Sequence, residues 1–163
     1  MTGEGTDHIP REGGPHDDGG GADKARIARQ FIEAIPFSRA LRMRLEEIGD
    51  GVAVISMPWD GRLVGEPRTG VIHGGAVSAL MDTCGGAAVM SHPEALAATA
   101  TIDLRIDYMR PAQAGHRVTA RATCYHVTRS VAFVRAEAWD ADESRPVAAA
   151  TGAFTVERRG GGR

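Results

Sequence analysis

Apolar and polar positions change rhythm along the chain, and each rhythm predicts an element. From Thr101 to Tyr108 the period is two. Ile102, Leu104, Ile106 and Tyr108 alternate with Thr101, Asp103, Arg105 and Asp107, the pattern of a strand with one buried and one wet face. Leu41 to Glu47 and Val52 to Trp59, separated by Gly49-Asp50-Gly51, read as two strands joined by a hairpin turn. Arg117 to Val127, Val131 to Trp139 and Pro146 to Val156 give three more. Between the first pair and the last four, Gly74 to Val89 is an apolar run long enough for a buried helix, closed near Ser91-His92-Pro93 because proline disfavours helical geometry in the residue before it. Ahead of the first strand, Ile27, Phe31, Ile32 and Ile35 recur at helical spacing, with Asp23 as N-cap and Pro36 as a stop. Gly61 to Thr69 is a polar loop.

Two strands, one long helix and four strands with short connections imply antiparallel pairing, with a sheet curling around the one apolar helix. The fold class is therefore α+β. Residues 1–22 contain too few large apolar side chains to offset the entropy of ordering and are expected to form a disordered tail. Residues 23–157 form one domain, and 158–163 a frayed end. A chain of 163 residues can bury a core without disulfides or metals, and a net charge of -2 gives no electrostatic case for nucleic acid or an anionic membrane. Cys84 and Cys124 lie in apolar patterns without metal-ligand spacing. No run is apolar enough to span a bilayer and no signal pattern opens the chain, so the expected location is cytoplasmic. All cations but Lys24 are arginines, a bias that reads as codon composition rather than phosphate binding.

One acid interrupts the apolar helix. Asp82 sits among Leu80, Met81, Thr83 and Cys84, where burying a charge costs several kcal/mol unless it is paired or hydrogen-bonded. Ser78, Asp82 and Gly85 or Gly86 share one stripe of the helix, and Gly74-Gly75 at its start leaves amide donors at the positive end of the helix dipole. Such amides can hold an oxygen with developing negative charge while a carboxylate on the third turn aligns water, the layout of an acyl-transfer or ester-hydrolysis site. The bland alternative is a tight turn with His73 as cap and Asp82 as a buried acid satisfied by amides.

The stretch TGVIHGGAVSALMD, followed by TIDLRIDYMRPAQAG, resembles the hotdog-fold acyl-CoA thioesterases, particularly the phenylacetate-pathway type in the 4-hydroxybenzoyl-CoA thioesterase-like superfamily. The likeness runs from Leu41 to Val156 and implies a curved antiparallel sheet of about six strands wrapped around one long central helix. It also implies homodimers joined sheet edge to sheet edge, usually paired into tetramers, with sites at the dimer interface. Position by position it makes Asp82 the acid that activates water or attacks the thioester, and Gly74 the amide that polarises the carbonyl. Thr101 corresponds to a hydroxyl that orients the water; its parity points it away from the Ile102 face, which calls for a bulge or a partner subunit. His73 orients the loop, with direct acid–base catalysis as its other possible role. Many relatives place asparagine or glutamine six residues before the histidine, where this chain has Pro67, which has no donor; Glu66 or Arg68 is then the substitute, or the Gly74 amide acts alone.

Gly75, Arg110, Arg129 and Ser130 complete the expected substrate and coenzyme A contacts, the arginines on the phosphates. No metal and no cofactor beyond the coenzyme A of the substrate is expected. The function implied is hydrolysis of an acyl- or aryl-CoA thioester. Two alternatives keep the fold: a non-catalytic acyl-CoA-binding or regulatory module, and an enoyl-CoA hydratase or dehydratase.

Overall fold

Two residues with left-handed backbone, Asp50 (φ 50°) and Gly51 (φ 80°), turn the chain between β1 (Arg44–Gly49) and β2 (Val52–Met57). Positive φ at both turn positions is the type I′ geometry whose twist matches an antiparallel pair. A computed structural model of the chain describes residues 32–94 and 96–158. The expected tail, the helix before residue 32 and the end beyond Arg158 lie outside them. Within them residues 32–34 are helical, but Pro36 does not act only as a stop: it occupies the first turn of a further short helix, α1 (Pro36–Ala40), where its missing N–H has no intrahelical role.

Six strands make the main sheet, in the order β1-β2-β7-β8-β9-β6, and every neighbouring pair is antiparallel. Here β6 is Thr101–Tyr108, β7 Val118–Val127, β8 Val131–Trp139 and β9 Ala148–Thr155. The long helix, α2 (Gly74–Met90), crosses one face of the sheet and packs chiefly on β7, β2 and β8. Its Val77, Leu80, Met81, Cys84 and Ala88 are buried, and the strands below present alanines at 53, 120, 122, 136 and 138 that let it approach closely. Gly85 takes this to its limit: a Cβ there would lie 2.7 Å from Cζ of the buried Phe154. Cys84 donates its thiol to the Ala53 and Ala120 carbonyls, and burial pushes its pKa up to about 12, so it is an inert core group.

Three short strand pairings or segments depart from the sequence expectation. The polar stretch 61–69 holds a 3-10 turn (Gly61–Leu63) and β3 (Val64–Glu66), which pairs with β4 (Val71–Ile72); β5 (Leu96–Ala98) pairs with β10 (Glu157–Arg158), so Arg158 belongs to a strand. The alternation of β6 is present, but its apolar face is only half covered. Leu104 and Ile106 are half-buried, while Ile102 is 56% and Tyr108 49% exposed. The cause is position: β6 pairs on one side only, at the sheet edge, and α2 lies over the centre of the sheet. Among the described residues no helix is long and apolar enough to cross a bilayer.

Candidate functional site

A helix start leaves four amides without intrahelical partners, and in α2 they can be accounted for one by one. His73, the N-cap, is extended (φ -60°, ψ 134°), and its own N–H donates to the Leu63 carbonyl at 2.8 Å. The Gly75 N–H donates to His73 Nδ1 at 2.9 Å, and the Ala76 N–H to the His73 carbonyl at 3.0 Å. Among the described residues the Gly74 N–H alone of the four has no partner. The pair of glycines therefore offers one open donor, not two. Gly75, expected to contact substrate, has its amide taken up by the cap, and His73 is the group that takes it.

Gly74 lines an open cleft of about 330 Å³ with Val71, Ile72, Val77, Tyr108 and Met109 among its walls. The wall is mostly aliphatic. Tyr108 ends β6 with its hydroxyl 2.7 Å from the Gly74 carbonyl oxygen and 2.6 Å from Ser78 Oγ. Arg110, which also borders the cleft, is drawn inward rather than presented to a phosphate. Its guanidinium donates to both carboxylate oxygens of Asp140 at 2.7 Å and to the Pro111 and Arg145 carbonyls, so every Nη hydrogen is engaged. A phosphate would meet Arg110 only in exchange for one of these bonds. The Asp140 side chain is in turn buried, accepts the Gln113 N–H, and is held well below the usual carboxylate range chiefly by the Arg110 hydrogen bonds.

Asp82 stands eight residues beyond Gly74 on α2, half-buried, and accepts a 2.7 Å hydrogen bond from Thr101 Oγ1 to one carboxylate oxygen. The register of β6 on β9 shifts between Thr101 and Asp103, an irregularity that frees Thr101 from strict alternation and lets it reach the helix. No cation pairs with Asp82 among the described residues, and its second oxygen is left open. At about 1.5 Å rise per residue, eight residues separate Gly74 and Asp82 by roughly 12 Å along the axis. One thioester carbonyl cannot touch both in one chain, which corrects the picture of a single helix supplying amide and carboxylate to the same atom.

The remaining expected residues divide between these two places. Glu66 ends β3 and Arg68 follows it in the turn leading to the Gly74 end, where Arg68 Nε pairs with Glu66 Oε1 at 3.4 Å in solvent. Arg129 and Ser130 sit exposed in the β7–β8 turn, at the Asp82 end: the Val156 N–H donates to the Ser130 carbonyl, and the Thr155 N–H to that of Ala100, next to Thr101. Sequence reasoning misses Tyr108 and Asp140, and it places Ser78 only on the polar stripe of the helix, without a partner. The strand alternation marks Tyr108 as apolar face, and nothing in the order of residues shows a hydroxyl reaching back 30 positions to Ser78.

The sequence model described as Thioesterase superfamily matches residues 69–147, which include Gly74, Asp82, Thr101 and Tyr108. The chain is 29% identical over 143 residues to the medium/long-chain acyl-CoA thioesterase YigI of Escherichia coli (strain K12), covering 80% of this chain and 91% of that one. Among solved structures, a mutant of the phenylacetic acid degradation protein PaaI from Thermus thermophilus is 30% identical, covers 76% of this chain and 99% of its own, and superposes with a TM-score of 0.65. The E. coli PaaI protein from the phenylacetic acid degradation operon is 25% identical, with 87% and 96% coverage and a TM-score of 0.72.

Proposed function

This chain belongs to the thioesterase superfamily, and from that premise we propose that it is an acyl-CoA thioesterase whose site joins Gly74 of one copy to Asp82 of another. The observation that carries the reading is the carboxylate of Asp82. It interrupts an otherwise apolar helix, one of its oxygens is fixed by Thr101, no cation neutralises it among the described residues, and the other oxygen is open.

Asp82 aligns a water and accepts its proton as the water oxygen bonds to the thioester carbon; direct attack by the carboxylate is the other form of the same assignment. The carbonyl oxygen, gaining negative charge, is received by the Gly74 N–H, aided by its place at the positive end of the helix. Collapse breaks the carbon–sulfur bond, and coenzyme A leaves as thiolate to take up a proton. Because one helix separates the two groups by about 12 Å, the second group comes from a partner copy. The open edge of β6, with Ile102 and Met109 exposed, is where two sheets would join, and pairing of such dimers into tetramers is part of the same proposal. Arg129 and Ser130, together with the solvent-exposed Glu66–Arg68 pair, are the side chains placed to meet coenzyme A. Two free thiols accord with a cytoplasmic, reducing location.

Thiol release measured across a panel of aliphatic and aromatic acyl-CoA thioesters tests this directly. Wild type is expected to turn over at least one, with aliphatic chains favoured by the aliphatic cleft wall, and Asp82→Asn to lose about 10²- to 10⁴-fold in kcat while folding normally. Wild-type turnover by Asp82→Asn would falsify the assignment.

A further inference from the structure

The first turn of α2 combines two properties that conflict. It must hold its open amide in one place, yet its backbone is Gly74-Gly75, the pair with the greatest conformational freedom, at a helix end where fraying begins. Gly75 is anchored by the His73 imidazole through its N–H. Gly74 cannot be anchored that way, because its N–H is the group to be left open. Only its carbonyl and the space where a side chain would stand remain available, and Tyr108 occupies both.

The tyrosine ring lies against Gly74 so closely that a Cβ there would be 3.3 Å from Cζ. Its hydroxyl, the Gly74 carbonyl oxygen and Ser78 Oγ form a triangle with edges of 2.7, 2.6 and 3.2 Å. Two hydroxyl protons serve three edges, and both short edges meet at Tyr108. Tyr108 donates to the carbonyl at 2.7 Å, the shorter of the two bonds that oxygen accepts from the hydroxyls, and Ser78 Oγ stands within hydrogen-bond reach of both the carbonyl and the tyrosine. A helical carbonyl at this position already accepts the N–H four residues on, so the contact fills no vacancy. Its effect is to pin residue 74 from outside the helix, from the end of a strand 34 positions away.

We infer that Tyr108, backed by Ser78, is a positioning residue that fixes the Gly74 amide against the thioester oxygen. This rests on the proposed role of Gly74. Donor placement within about 0.5 Å is what such a site requires, and a misplacement of about 1 Å can lower the rate about 10²-fold.

Tyr108→Phe keeps the ring and removes the hydroxyl. With an acyl-CoA that the wild type hydrolyses, kcat is expected to fall about 10- to 100-fold while KM and Tm stay near wild type. Ser78→Ala should fall less, and the double variant no further than Tyr108→Phe alone, because both act through one carbonyl. Amide exchange at Gly75 and Ala76 should quicken in Tyr108→Phe, a readout independent of turnover. Unchanged kcat in Tyr108→Phe, a loss confined to KM, or additive losses in the double variant would each overturn the positioning role. Asp82→Asn in the same assay keeps the two readings apart: if it is inactive while Tyr108→Phe is unimpaired, only the role of Tyr108 fails, and if it is itself fully active, the thioesterase site fails first.

Discussion

A single amide proton is the smallest unit on which the proposed chemistry depends, and it can be removed with little else. Gly74 is the first helical residue, the position where proline is favoured, and His73 before it is already extended at ψ 134°, as a residue preceding proline must be. Gly74→Pro therefore deletes the one open donor while leaving the helix its usual start, provided the Tyr108 ring yields a few tenths of an ångström to the new Cβ. Thiol release should drop about 10²- to 10³-fold, with circular dichroism close to wild type. Retained turnover would mean that the oxyanion is held elsewhere. At this scale much of the site is legible in the sequence: a double glycine after a histidine predicts free amides, and an acid inside an apolar run stands out by its cost. A cap by His73 is legible as the alternative reading, but that its bond removes Gly75 from the set of donors is not. It depends on a side-chain rotamer, and so does the inward turn of Arg110.

Elements are legible where a period runs long enough to register. The six strands of the sheet are long enough for that and α2 registers instead as a long apolar run, while β3, β4, β5 and β10 are two or three residues each, too short to show either. Packing between elements is less legible still, as Gly85 illustrates. Inside an isolated helix, Gly→Ala stabilises by about 1 kcal/mol. Here the added Cβ would meet Phe154, which is 1% exposed and cannot swing away, and overpacking of that kind costs about 1–3 kcal/mol. The clash should win, so Gly85→Ala is expected to lower Tm by a few degrees; a rise in calorimetric Tm would show that Phe154 can repack. The Arg110–Asp140 pair joins the end of β6 to the chain after β8 and gives a pH-dependent counterpart. The folded-state pKa of Asp140 is depressed, so its contribution is complete above the unfolded value of about 4 and is lost as pH falls through the lower folded value. Asp140→Asn should lower Tm at neutral pH, and the gap to wild type should close in strong acid. A gap that is constant with pH would point to packing rather than the ion pair.

For the whole molecule, the roughly 12 Å between Gly74 and Asp82 makes assembly a condition of the proposed catalysis rather than an accompaniment to it. An apolar β6 face that alternates cleanly in sequence yet stays half exposed in one chain fits the same conclusion: the period specifies burial that a lone protomer does not provide. If each site takes its amide from one copy and its carboxylate from the other, two inactive variants should restore each other. In a heterodimer of Gly74→Pro and Asp82→Asn, the Asp82→Asn subunit supplies an intact Gly74 to the intact Asp82 of its partner, while the other site lacks both groups. One site in two then works. With random pairing about half the dimers are mixed, so co-expression should return roughly a quarter of wild-type activity, well above either parent. Separately purified parents, mixed where dimers do not exchange, should show none of this gain. Activity that stays at the level of the parents in verified heterodimers would place both groups in the same protomer's site and require a bend in α2 that its unbroken helix from Gly74 to Met90 does not have.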